Sequence, residues 1–297
     1  MRERTWHHPS VRALRETCGK NFPPEQAIRK RAEELIKYAH RFGWAGPPYD
    51  PRILASILGM RVREKKLNAG TDGVLRAKDG GKLEILVNER LPQTRQNFTI
   101  CHEIAHTLFP DHCELVRMRQ KTGREETYHW ELEMLCNLAA SELLMPMDKF
   151  ARDVVYHGYS LKSVDTLKRR YAASPEAVVR RMVSTDLEIS CAVFLRRMHK
   201  PSEEKQRTTG SSAKPEKKLR VERTVPSTDF HYFIPKFKSV PTDSCIYQAL
   251  FSRGVVTATE NWGLRTTPLF RTEARAHPMN NGARHEGPRV TAFLFPT

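Results

Sequence analysis

The 297-residue chain carries 50 Lys and Arg against 34 Asp and Glu, a formal net charge of +16, with 39% hydrophobic and 28% charged residues. That balance excludes a disordered polyelectrolyte, and no stretch approaches the roughly 20 consecutive apolar residues of a helical bilayer span, so no membrane partner is expected. The length favours two folded units, and the excess positive charge favours acidic partners, nucleic acid first among them.

Residues 200–297 hold 16 Lys and Arg against 9 Asp and Glu, so +7 of the charge lies there and +9 in residues 1–199. No segment is thereby marked as a binding module. Cysteines at 18, 101, 113, 136, 191 and 245 form no C-x-x-C pair and no dense pattern, which reads as reduced thiols. With an amino terminus that lacks an apolar signal region, the expected location is cytoplasmic.

In chain order, residues 1–24 read as an extension. Residues 25–42 space Ala32, Leu35, Ile36 and Ala39 as an amphipathic helix. After the Gly- and Pro-rich break GWAGPPYDP, Asp50 and Pro51 supply a cap and a first residue for a second helix. RVREKK, GVLRAK and KLEILVNE, separated by the turns NAGTDG and KDGG, predict a small antiparallel meander. The run FTICHEIAHTLFPDH, 98–112, predicts a helix that Thr94 or Asn97 caps and Pro110 stops, and 125–145 predicts a long helix ended by Pro146.

Two or three more helices are expected in 160–198. Within them, SLKSVDTLKRRYAASPEAVVRRMVS (160–184) has the outline of a helix-turn-helix with Arg180 and Arg181 exposed. Residues 200–218 are polar and without period, a flexible linker that invites separation of the halves near residue 205. From 219 to 297, FHYFIPKF, GVVTAT and RVTAFLFP predict a strand-rich domain.

The chemistry concentrates in His102-Glu103-x-x-His106. Side chains four apart on a helix stand one above the other, so both imidazoles can reach one ion; Glu103, about 100° around, can sit beside it without coordinating it. Zinc suits such a site. Three protein ligands leave a position for water, whose pKa the metal lowers, and Glu103 is then placed as general base for peptide hydrolysis. Manganese is not excluded.

Three residues compete as third ligand. His112 has the spacing of a metzincin histidine, but Phe109 stands where that motif needs glycine for its turn. The helix from Trp130 to Met145 is apolar around most of its circumference and carries two polar strips, Glu133-Asn137-Ser141 and Glu131-Glu142. An adjacent metal would give one strip a partner. Spacing alone does not choose between Glu131 and Glu133. Around the site, Tyr128 and His129 are candidate donors to an oxyanion, and Asn137 is a candidate to orient a ligand. Cys101 is expected to pack rather than ligate.

The pattern R-x-x-F-T-x-x-H-E-x-x-H (Arg95 to His106) followed by E-x-x-x-N-x-x-A-A-x-x-L-x-M-P (Glu133 to Pro146) resembles the ImmA/IrrE family of bacterial metallopeptidases, over roughly residues 28–198. The resemblance implies an α+β fold with a zincin-like metallopeptidase domain (25–155) and a helical bundle (156–199). Metal ligands would be His102, His106 and Glu133, with Glu103 catalytic. It implies cleavage of a helix-turn-helix repressor of the Xre type, switching on mobile-element or DNA-damage-response genes. Some radiation-response members end in a GAF-like domain, which sets the same expectation, with a sensory role, for 219–297. The competing expectation is a DNA-binding regulator on a peptidase-like scaffold.

Overall fold

The computed structural model describes residues 5–19, 22–113, 129–208, 216–264, 269–277 and 288–297. By its internal packing the α+β chain divides into two compact units, Met1–Phe150 with Leu167–Ala177, and Ala151–Thr166 with Val178–Thr297. Among the described residues no helix is long and apolar enough to cross a membrane, and all six cysteines are free thiols.

The first unit opens with α1 (Pro9–Cys18), α2 (Pro24–His40) and α3 (Pro51–Ile57), the last begun as expected by Asp50, whose side chain accepts the Arg52 N–H. Three strands follow, β1 (Arg61–Lys65), β2 (Gly73–Ala77) and β3 (Leu83–Asn88). They form no meander. β3 lies between the other two, parallel to β1 (Val62 opposite Ile85) and antiparallel to β2 (Leu75 opposite Ile85). Burial decides the order: β3 is buried from Glu84 to Asn88, whereas β1 is mostly exposed and charged, and the strand covered on both faces takes the centre. Glu84, fully buried, is held by Arg76 at 2.5 Å and Lys78 at 3.2 Å.

α4 (Gln93–Ala105) packs against β2 and β3 of this sheet, and α5 (His129–Leu144) packs against α4 and α2; α6 (Met147–His157), α7 (Val164–Arg170) and α8 (Pro175–Val183) follow in the chain. The helix-turn-helix outline is present, but Arg181 is 2% exposed, against expectation, while Arg180 is exposed. Adjacent residues on a helix sit about 100° apart, so one side of α8 cannot present both.

The second unit is a five-stranded antiparallel sheet ordered β5-β4-β8-β7-β6, from β4 (Cys191–Met198), β5 (Lys218–Pro226), β6 (Val256–Asn261), β7 (Leu269–His277) and β8 (Arg289–Pro296). β4 corrects the expectation of helices up to 198: its run CAVFL is buried throughout, and a short apolar run has no period to distinguish strand from helix. Nor is 156–199 one bundle. Glu273 in β7 accepts from Ser160 Oγ (2.8 Å) and the Leu161 N–H (2.9 Å), fixing that stretch to the sheet. Part of the expected linker is α9 (Pro201–Thr208), anchored by Glu203 to Arg220 of β5 at 2.6 Å; 209–215 lie outside the described residues. The short α10 (Cys245–Ala249) packs on β6 and β7 over a core that includes Val193, Leu195, Phe270 and Ala292.

Candidate metal centre

α4 begins at Gln93 with Pro92 in the capping position, so Thr94 and Asn97 lie inside the helix and neither caps it. Asn97 instead accepts from Gln93 Nε2 (2.9 Å) and donates to the Ala172 carbonyl (3.2 Å). At the other end, α-geometry yields at His106 to one 3-10 turn, and Phe109 is extended at ψ 139°. Pro110 requires this, because its ring disfavours helical backbone in the residue before it.

α5 places the partner group. One of its polar strips, Glu131 with Glu142, is inside the protein; the other, Glu133-Asn137-Ser141, is half-buried to exposed. Glu131 is fully buried, its carboxylate accepting the backbone N–H groups of His7 and His8, each at 2.8 Å. Glu142, 2% exposed, pairs with Arg29 of α2 at 3.5 Å and accepts the Met147 N–H at 2.7 Å. The remaining strip faces α4. His102 Nε2 lies 3.0 Å from one carboxylate oxygen of Glu133, and His106 Nε2 lies 3.5 Å from the other.

One donor atom from each of His102, His106 and Glu133 falls within 4.8 Å of the others. Four ligands about 2.1 Å from a tetrahedral ion stand roughly 3.4 Å apart, so the two contacts bracket that spacing. Two imidazole nitrogens and a carboxylate oxygen are also donors that a divalent metal accepts. The residues fit such an ion.

The outer nitrogens of both rings are engaged. His102 Nδ1 is 3.2 Å from Asn137 Oδ1, and an amide oxygen only accepts, so Nδ1–H donates to it; in the neutral ring this leaves the Nε2 lone pair for an ion. His106 Nδ1 is 3.3 Å from the thiol of Cys136, itself fully buried. His129 Nε2, 3.1 Å from Glu133, braces the carboxylate from a turn earlier. Burial works against charge on His102, but Glu133 and Glu103 outweigh it and raise its pKa. Burial likewise opposes charge on Glu133, and its contacts with His102 and His129 hold it well below the usual carboxylate range.

The remaining candidates fall elsewhere. His112 turns to the Phe109 carbonyl at 2.9 Å, and Tyr128 lies outside the described residues. Cys101 is fully buried, with burial pushing its thiol pKa up, and is not among the converging donors.

Glu103 is 7% exposed and lies against β2. A Cβ on Gly73 would stand 2.4 Å from Thr99 Cγ2 and 3.1 Å from Glu103 Oε1, so the strand reaches this helix only because residue 73 is glycine. The ion pair between Arg95 and Asp72 holds the preceding loop against the start of α4. Neither Gly73 nor Cys136 was expected at the site: the glycine looked like turn punctuation, and a lone cysteine in an apolar run carries no signal.

Fold and site together define an α+β protein whose helix pair can hold one divalent metal beside an unligated glutamate. Residues 55–183 match the model of the Peptidase_M78 family, the IrrE N-terminal-like domain. The chain is 26% identical over 197 residues to the radiation response metalloprotease IrrE of Deinococcus radiodurans, covering 65% of this chain and 59% of that protein. It is also 26% identical over 148 residues to the Deinococcus deserti protein of the same name, covering 50% and 52%. Thus it spans little more than half the length of these relatives. A solved Mycobacterium tuberculosis transcriptional regulator shares the fold with a TM-score of 0.60 at 14% identity, over 96% of this chain and 79% of that one.

Metal binding requires neutral imidazoles, and the raised pKa of His102 lets protons compete from higher pH than at an ordinary histidine. Metal affinity, followed by chelator competition from about pH 8 to pH 5, should fall with acidification and begin falling above the ordinary imidazole pKa of about 6.5. Asn137→Ala should weaken metal binding by about 10- to 100-fold with the fold retained, as circular dichroism would report. Unchanged affinity would remove the orienting role.

Proposed function

We propose that this chain is a zinc-dependent endopeptidase with a zincin-like catalytic domain, and that it cleaves a helix-turn-helix repressor of the Xre type to release stress-response genes. The observation that carries the reading is the convergence of His102, His106 and Glu133 with Glu103 alongside. The IrrE relatives, named as radiation response metalloproteases, support the chemistry and the setting.

In this reading His102, His106 and Glu133 would hold the ion, whose chemistry there would be Lewis acidity and a lowered pKa of bound water, from 15.7 to about 7. Glu103 takes the proton of the attacking water and returns it to the leaving amine. Its confinement between α4 and β2 keeps the carboxylate in position and partly dry. β2 hydrogen-bonds to β3 alone among the described strands, so its outer edge offers backbone groups to an extended peptide. A substrate strand added there would run past Glu103 at Gly73. His129 is the candidate donor for the developing oxyanion, on exchanging its contact with Glu133. The five-stranded unit is read as the sensory, GAF-like part, and the expected site of action is the cytoplasm.

Metal analysis of the purified protein distinguishes zinc from manganese. Incubated with a helix-turn-helix repressor encoded beside its gene, the wild type should cut at a defined bond. Glu103→Gln should retain its metal and lose at least about 100-fold in rate. Wild-type cleavage by that variant would sink the peptidase assignment; an intact repressor in the presence of active enzyme would sink the substrate.

One alternative has its own support. Arg169 and Arg170 are exposed at the end of α7, and Arg180 is exposed on α8, basic side chains of the kind that duplex phosphates attract. That reading predicts duplex retention that weakens steeply with salt, with a shallower slope after Arg180→Ala. Identical salt curves for the two proteins would dismiss it.

A further inference from the structure

The second unit contains a cleft of about 1210 Å³, walled by the first turn of α9 and the irregular segment 231–238. Its lining is chemically one-sided. Lys200, Lys236 and Lys238 contribute, and no acidic residue is among the described residues that line it. Glu203, one residue beyond the lining Ser202, has both carboxylate oxygens engaged: one with Arg220 at 2.6 Å, the other with the Lys200 N–H at 2.8 Å. The cleft therefore presents cations that its own lining does not balance.

Aromatic rings interleave with those cations. Tyr232, Phe233 and Phe237 line the same space, and Phe233 is 81% exposed, a poor place for an apolar ring that has nothing to cover. The Lys236 ammonium stands 5.2 Å from the centre of the Phe237 ring.

Phe237 adds an independent sign. Its φ is +66°, a left-handed conformation that a bulky aromatic residue rarely adopts. The fold enforces it. Its N–H donates to the Val221 carbonyl at 2.8 Å, and its own carbonyl accepts from Arg220 at 3.1 Å. Arg220, 2% exposed, is in turn fixed by Glu203 and by the Met198 carbonyl at 3.2 Å. A buried arginine thus holds a strained aromatic at the wall of a cation-lined cleft, and strain kept in place this way clusters where ligands bind.

We propose that this cleft binds a small anion bearing a planar ring, of the chemical class of a nucleoside phosphate. The lysines act as point charges for the phosphate, and the exposed rings give the base a face to stack on. A cleft of this size holds such a ligand with room for bridging water.

Isothermal titration of the full-length protein tests this without reference to peptidase activity, using AMP, adenosine, inorganic phosphate and a 12-nucleotide oligothymidylate as probes. AMP should bind saturably, one per chain, with adenosine and phosphate each at least about tenfold weaker because each supplies half of the recognition. Lys236→Ala with Lys238→Ala should weaken AMP at least about tenfold. Phe237→Gly should also weaken AMP while leaving Tm unchanged or higher, since glycine accepts the positive φ. The proposal is overturned by an absence of saturable AMP binding, by equal affinity for adenosine, by an unaffected double-lysine variant, or by oligothymidylate binding that AMP does not displace.

Discussion

The packing of α4 against α5 is the constraint from which the site follows. α5 buries Glu131 and Glu142 and half-buries Glu133, so each of these acids must find a partner or carry the cost of desolvation. Glu131 finds the amino-terminal backbone and Glu142 finds Arg29. Glu133 finds two imidazoles from successive turns of the neighbouring helix. One seam therefore does two things: it pairs a half-buried carboxylate, and it assembles a set of donors with the spacing of a metal's ligands.

A shell of other contacts sets the precision of that seam. Asn137 and Cys136 hold the far sides of the two rings, and His129 holds the far side of the carboxylate. β2 closes on Glu103 because Gly73 has no side chain to keep it away. Arg95, the first residue of the family pattern, pairs with Asp72, which gives that arginine a mechanical task rather than a chemical one.

Features written in local residue chemistry were legible before the structure. The helical spacing of His102, Glu103 and His106 is carried by the chain's own period, the Asp50-Pro51 cap needs only two residues, and Pro110 acts on its immediate neighbour. Whatever depended on distant partners was not legible. The position of β3 between β1 and β2 is settled by which strand is covered on both faces, and turn residues do not encode that. β4 lacks a period, and the burial of Arg181 beside an exposed Arg180 depends on what packs against α8, which neither residue encodes. Gly73 and Cys136 matter through residues more than 25 positions away, and neither belongs to a recognisable spacing. For Glu133 the tie with Glu131 was broken by family pattern; the geometry supplies the reason, since only one of the two strips faces the histidines.

The place of β4 bears on how the two units can be pulled apart. It is a central strand, bonded on one side to β5 and on the other to β8, yet in sequence it precedes both by way of α9. A chain cut near residue 205 would keep β4 and discard its neighbours on either side. It would end in a strand of five apolar residues with two bare edges, the template on which chains assemble into fibres and precipitates. Insolubility of such a fragment would reflect where it was cut and would say nothing of the half that carries the metal-ligand cluster. A cut before Cys191 keeps the strand with its sheet.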